Sequence, residues 1–187
     1  SVSREAVFTG CGPNLGDRRD LCDRAVTLLG LLPHSQMTGV SSLYETEPIA
    51  DSRTDPGRQR FLNGAVRLET ELAPHSLLEV CREVESALGR DHDHRGGART
   101  MDLDILFYGT RSIDEGGVIV PHPRLHLRRF VLIPLVELEP GWVHPVIGQT
   151  MRALLDAVAD SSVVRRIDAA GSRYGSRPTC TSSPQKD

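Results

Sequence analysis

The chain is 187 residues long with a formal net charge of −3, and 39% of its residues are hydrophobic and 25% charged, which suits one compact domain with a tail. No apolar run approaches the roughly 20 residues that cross a bilayer, and the negative balance argues against an extended nucleic-acid surface, where basic groups are in excess. Ser1–Glu5 lacks the charged-then-apolar pattern of a secretory signal, so a cytoplasmic location is expected.

Ala6–Gly10 reads as a short apolar strand, followed by the turn-rich stretch Gly12–Gly16. Leu21, Ala25, Leu28, Leu29 and Leu32 repeat at helical spacing and predict a helix from near Asp17 to Pro33. Val40–Tyr44 and Phe61–Leu68 read as strands. The polar segment Glu45–Arg60 between them is too long for a hairpin turn, which suggests a functional loop. Pro74 suits the first turn of a second helix, whose face Leu77, Leu78, Cys81, Val84 and Leu88 ends at Gly89.

A second long loop, Arg90–Arg99, leads into the strand Thr100–Tyr108. Strand, helix, strand, strand, helix, strand is the α+β, ferredoxin-like βαββαβ order, with an antiparallel sheet covered on one face by two helices. Val118–Val120 is expected to add an edge strand, and Phe130–Leu138 and Met151–Val158 to be helical. Periodicity fades from Ser161, so a domain over residues 1–160 is expected to be followed by a flexible tail over 161–187, with Gly171–Asp187 disordered. Cys11, Cys22, Cys81 and Cys180 show no C-x-x-C spacing, and three of them are expected simply to pack in the core.

The sharpest chemistry lies in Arg99-Thr100-Met101-Asp102-Leu103-Asp104-Ile105-Leu106. Alternate side chains of a strand share a face, so Asp102 and Asp104 point one way while Met101, Leu103 and Ile105 point into the core. Two carboxylates side by side repel unless a cation neutralises them, and such oxygen ligands suit magnesium carrying phosphates. The same pair also fits an ordinary solvated strand face. Arg90, Arg95 and Arg99 before the pair, and Arg124, Arg128 and Arg129 after Val120-Pro121-His122-Pro123, supply the cations that a polyphosphate would meet.

Arg95–Leu106 matches, at every specified position, the signature of a basic residue, any residue, a small residue, Ala or Pro, Arg, two residues, Asp, aliphatic, Asp and two aliphatics. On that basis the chain resembles the 6-hydroxymethyl-7,8-dihydropterin pyrophosphokinase family of folate synthesis. Gly10–Gly16, Ser41–Pro48, Phe61–Val66, Val120–Leu125 and Arg128–Leu135 extend the resemblance in the same order, over about Ala6 to Val158. It implies transfer of pyrophosphate from ATP to the pterin hydroxymethyl group, giving AMP, with two Mg²⁺ ions held by Asp102 and Asp104.

The resemblance also implies that Phe61 and Phe130 sandwich the pterin, that Asn63 reads its polar edge, and that Thr46, Glu47 and Ile49 complete the pocket. Arg99 and Arg90 would contact phosphates and act in catalysis. His122 and Arg128 would bind the polyphosphate from the other side, and Leu78, Glu85 and Ile105 would flank ATP together with Arg99. The two long loops would close over the bound substrates. Pro13, Glu47, His92 and Gly96 depart from the commonest family pattern, which bears on loop closure and ATP affinity. No general base is singled out.

Other readings of the residues remain. A D-x-D pair also serves metal-dependent glycosyltransferases, although those need a larger nucleotide domain, and a ferredoxin-like module can bind RNA or a metabolite without catalysis. Net charge and the lack of an aromatic-rich strand weigh against RNA. ATP and a reduced pterin are the expected partners, with other folate-pathway enzymes as possible neighbours and no nucleic acid or membrane. A monomer is expected, since no heptad or apolar strip asks for a partner.

Overall fold

The computed structural model describes residues 4–13, 18–47, 61–89 and 101–167. In chain order they form β1 (Glu5–Pro13), α1 (Arg18–Gly30), β2 (Ser35–Val40), β3 (Tyr44–Thr46), β4 (Phe61–Thr70) and α2 (Pro74–Ala87). Then come β5 (Met101–Tyr108), β6 (Ile113–Glu115), β7 (Val118–Val120), α3 (Arg129–Leu138), α4 (Met151–Ala157) and β8 (Val164–Arg166).

The main sheet runs β5-β1-β4-β3-β8, with β2 also pairing with β4. Every pairing in it is antiparallel. This is the ferredoxin-like order, with the second strand of the motif broken into β2 and β3. Its helices form as their sequence spacing predicts. In α1, Leu21, Cys22, Ala25 and Leu29 are buried, and in α2 Leu77, Cys81 and Val84 are, each set lying on one face at three- or four-residue spacing. Both helices pack on one face of the sheet around Val7, Val66, Leu68 and Leu103.

The other face is covered as well, which the sequence reading did not anticipate. There Phe8, Ala65, Leu106 and Phe107 meet Leu132 and Leu135 of α3 and Met151 and Leu154 of α4 in a second core. Phe8 and Phe107 pack edge-to-face at 6.0 Å, and Trp142 joins them at 4.9 Å from Phe8.

Several boundaries differ from expectation. Val40–Tyr44 is not one strand, because Ser41 takes the chain out of the ladder. Its Oγ donates to Ser42 O and accepts from Ala65 N, and such side-chain bonds compete with sheet pairing. Val118–Val120 does not extend the main sheet. It pairs with β6 across Gly116 and Gly117, whose φ of 60° and 84° give the left-handed two-residue turn that suits a tight hairpin. Residues 164–166, expected in the tail, form β8 against β3. The expected disorder of 171–187 lies outside the described residues.

Candidate active site

Strand β5 follows the predicted alternation at its start: Met101, Leu103 and Ile105 are buried, Asp102 is half-buried and Asp104 exposed. The alternation then breaks. Thr9 of β1 sits opposite Ile105 but Phe8 sits opposite Phe107, so Leu106 is an extra residue, a β-bulge. The bulge turns Phe107 toward the α3 core, while Asp102 and Asp104 stay on the face where α3 begins.

There the side chains enclose a cavity of about 300 Å³, lined by Asp102, Asp104, Asn63, Phe61, Thr46, His122, Arg128 and Phe130 among others. Residues far apart in sequence meet here because β4 and β5 flank β1, and β3 pairs with the start of β4. Tyr44 lies opposite Asn63 and Thr46 opposite Phe61. Phe61 is 53% exposed, so it serves the cavity and not the core. Arg128 places its guanidinium 5.7 Å from the Phe130 ring centre, a cation–π distance. Thr46 Oγ1 is buried and has no hydrogen-bond partner among the described residues, which leaves a polar atom available to a ligand edge.

A second cavity of about 240 Å³ is lined by Leu78, Leu103, Ile105, Val118, Ile119 and Pro123, and it shares Asp104 and His122 with the first. The two chambers therefore adjoin at Asp104. Leu78 and Ile105 both line the second one. Burial lowers the His122 pKa, and Arg128 and Arg124 push the same way against an opposing pull from Asp104. His122 Nδ1 accepts from the Arg124 N–H at 3.2 Å.

Not every expected residue lies in these cavities. Glu85 is 4% exposed, and its Oε1 accepts the Leu103 N–H at 2.8 Å. Strand β5 is an edge of the sheet, and Glu85 satisfies an outward N–H of that edge. That oxygen is thus engaged by the strand, and Glu85, expected beside ATP, is not among the residues that line either cavity. Glu47 forms an ion pair with Arg165 at 3.3 Å and is not among the cavity's lining residues. Arg90, Arg99 and Ile49, with both long loops and the residues His92 and Gly96, lie outside the described residues.

The structure adds residues the sequence reading passed over. Gly12 lies opposite Asp102, and a Cβ there would stand 2.8 Å from Asn63 Oδ1, so only glycine lets Asn63 approach β1 this closely. Glu137 of α3 accepts from Ser42 N at 3.0 Å, Ser42 Oγ at 2.7 Å and Tyr44 OH at 2.6 Å, tying the helix that carries Phe130 to the strand that carries Thr46. Burial and the Glu137 carboxylate raise the Tyr44 pKa, so the phenol stays a donor. Cys11 lines the first cavity. A hydrogen bond with Cys22 holds Cys11 below and Cys22 above the usual thiol range. Cys81 is pushed up to about 12 by burial, an inert core thiol as expected.

The chemistry of the donor set bears on a metal. Asp102 and Asp104 offer oxygen ligands on one face, and among the described residues no group of three or more His, Cys, Asp or Glu side chains gathers to hold an ion. A two-carboxylate site fits magnesium, which keeps its other positions for water and phosphate oxygens.

The family model described as 7,8-dihydro-6-hydroxymethylpterin-pyrophosphokinase (HPPK) matches residues 8–140. A 2-amino-4-hydroxy-6-hydroxymethyldihydropteridine pyrophosphokinase from Methylorubrum extorquens is 38% identical over 162 residues, 87% of this chain and 98% of that one. The enzyme of the same name from Bacillus subtilis is 42% identical over 132 residues, 71% of this chain and 77% of that one. Among solved structures, wild-type Plasmodium falciparum HPPK-DHPS aligns with a TM-score of 0.63 at 15% identity, over 82% of this chain and 44% of that one. This chain thus spans less than half of that two-part protein, and the likeness concerns the fold. With residues 8–140 matched by the family model, the chain belongs to the 7,8-dihydro-6-hydroxymethylpterin-pyrophosphokinase family and is a pyrophosphokinase of folate biosynthesis.

Proposed function

We propose that the pterin lies in the first cavity and the ATP base in the second, and that the pyrophosphoryl group crosses between them beside Asp104. The observation that carries this reading is the meeting of the two chambers at Asp104 and His122. Phe61 and Phe130 offer aromatic faces to a flat heterocycle. Asn63 and the unpartnered Thr46 hydroxyl offer hydrogen bonds to its polar edge. Leu78 and Ile105 flank the adenine.

In the reaction, the hydroxymethyl oxygen bonds to the β-phosphorus of ATP while the bond from that phosphorus to the bridging α-phosphate oxygen breaks. AMP leaves, and the hydroxyl gives up its proton. The chain's task is positioning and charge stabilisation, as in phosphoryl transfer generally. Asp102 and Asp104 would hold Mg²⁺, which when bound neutralises phosphate charge and makes the alcohol more acidic. Arg128 and His122 meet the polyphosphate from the side of α3. His122, its pKa lowered, serves first as a neutral hydrogen-bond partner. Arg90 and Arg99 are proposed to contact the same phosphates.

Reduced pterin, ATP and two magnesium ions are thus the proposed ligands, with the chain working as a cytoplasmic monomer beside other folate-pathway enzymes. A relative from Arabidopsis thaliana named "Folate synthesis bifunctional protein" is 44% identical over 135 residues, which make up 27% of its length. No helix among the described residues is long and apolar enough to cross a membrane.

The test combines protein, ATP, Mg²⁺ and 6-hydroxymethyl-7,8-dihydropterin and separates the nucleotides. AMP formation supports the proposal, whereas ADP as product would refute it. Asp102→Ala and Asp104→Ala should each abolish turnover while leaving the melting transition cooperative, because neither side chain belongs to a core cluster.

A further inference from the structure

The segment from Asp160 to Ile167 lies beyond the family match, which ends at residue 140, yet it touches both walls of the first cavity. One wall is α3, which carries Phe130 and Val131. Its N-cap residue, Arg128, makes no side-chain cap. Instead Asp160 Oδ2 accepts the Arg129 N–H at 2.9 Å, an N-terminal backbone donor the helix cannot satisfy itself. Asp160 Oδ1 accepts from Ser162 N at 2.9 Å and from Ser162 Oγ, which fixes the carboxylate's direction. A negative group at this end of a helix also opposes the positive pole of the helix dipole.

The other wall is β3, which carries Thr46. Four residues after Asp160, β8 pairs with it in the register Thr46 to Val164, Glu45 to Arg165 and Tyr44 to Arg166. The Glu47 N–H donates to Val163 O at 3.1 Å and the Ile167 N–H to Leu43 O at 2.9 Å, so the pairing runs past both ends of β3. Arg165 adds its ion pair to Glu47. A three-residue strand is too short to hold its own position through propensity. On its other side β3 has only the matching three pairs to β4.

We infer that residues 160–167 are a positioning segment for pterin binding, a brace that sets the distance between α3 and β3 and thereby between Phe130 and Thr46. The inference rests on the functional reading above, since it names what the spacing is for. The second chamber is built from α2, β5 and β7, none of which the brace contacts through a described hydrogen bond, so adenine binding is independent of it. Asp160 is a positioning residue, acting through Arg129 and the helix behind it.

The experiment measures the KM for pterin and for ATP separately, and pterin binding directly by calorimetry, in the full chain, in Asp160→Ala, in Asp160→Asn and in a chain lacking residues 160–187. Loss of a helix cap of this kind corresponds to roughly a fivefold change in an equilibrium constant. Asp160→Ala should therefore raise the pterin KM and dissociation constant by about that factor, with a distinctly smaller rise in the ATP KM, because the adenine chamber is untouched while Arg128 precedes the capped N–H. The truncated chain should show a larger pterin effect of the same selectivity. Asp160→Asn should restore part of the affinity, because its one amide oxygen can still accept the Arg129 N–H while the contact with the Ser162 N–H is lost. Pterin binding unchanged in Asp160→Ala and in the truncated chain overturns the inference, and so does an equal loss of pterin and ATP binding, which marks general destabilisation. A full chain that binds no pterin overturns the functional reading and this inference with it. A full chain that binds, beside variants that bind as well, overturns the inference alone.

Discussion

Glu85 separates two roles that a sequence motif cannot distinguish, contact with a nucleotide and support of the strand that holds the acid pair. The residue is 4% exposed and its carboxylate accepts the Leu103 N–H at 2.8 Å, and Leu103 sits between Asp102 and Asp104. Replacing Glu85 by alanine removes a charge-assisted hydrogen bond worth about 1.5–3 kcal/mol and leaves a buried donor without a partner, a cost of about 1–3 kcal/mol that overlaps with the first. A loss of about 3 kcal/mol is therefore expected, and for a chain of this size it lowers the melting temperature by roughly 6–12 °C. Glu85→Gln keeps an acceptor oxygen and should lose about 1 kcal/mol, the difference between a charged and a neutral bond. Urea denaturation gives the stabilities, and the KM for ATP is measured well below the melting range. Turnover should fall in Glu85→Ala through misplacement of the acid pair, with the ATP KM little changed. Unaltered stability together with a raised ATP KM would refute the assignment and return Glu85 to the nucleotide site.

Gly12→Ala should raise the pterin KM at least tenfold with a small change in stability, because the new Cβ stands 2.8 Å from Asn63 Oδ1 and the amide must swing away from the cavity; steady-state kinetics with pterin varied checks this. Glu137→Ala should cost about 1–2 kcal/mol, since its carboxylate is partly open to water, and urea denaturation beside the conservative Glu137→Gln reads that cost. His144 gives a pH signature. Burial holds its pKa below 6.5, and His126 adds to the effect, while Nδ1 accepts the N–H groups of Val146 and Ile147 at 3.2 Å and 3.0 Å. The unfolded chain therefore takes up a proton first as the pH falls through 6.5, and stability declines from there toward the lower folded pKa. His144→Asn keeps an acceptor for the turn, and denaturation between pH 8 and 5 should show a shallower acid decline. Some slope remains, because the lowered pKa of His122 acts in the same direction.

What the sequence conveyed well was whatever depends on neighbours along the chain. The spacing of Leu77, Cys81 and Val84 marked the buried face of α2, and the alternation of Asp102 and Asp104 with Leu103 and Ile105 placed the acids on one face of β5. What it hid depends on partners far away. Nothing near Val164 announces that Tyr44–Thr46 will pair with it, and nothing near Glu85 points to an N–H on β5. The break at Ser41 was concealed by serines that read as ordinary strand residues until Ala65 is seen opposite. The second core was masked by Phe107 and Tyr108, which look like a continuation of the alternation begun at Met101.

The bulge at Leu106 makes β5 two strands laid end to end with opposite phase. Before it, odd-numbered side chains face α1 and α2; after it, Phe107 faces α3 and Tyr108 returns to the α1 and α2 side. The acid half and the aromatic half can thus accept substitutions without reference to one another's parity. Losing Leu106 would set Phe107 directly after Ile105 and close the ladder in regular register, with Phe107 still opposite Phe8 and Tyr108 still opposite Val7, so the acids would stay aimed as they are and the second core would give up the Leu106 side chain alone.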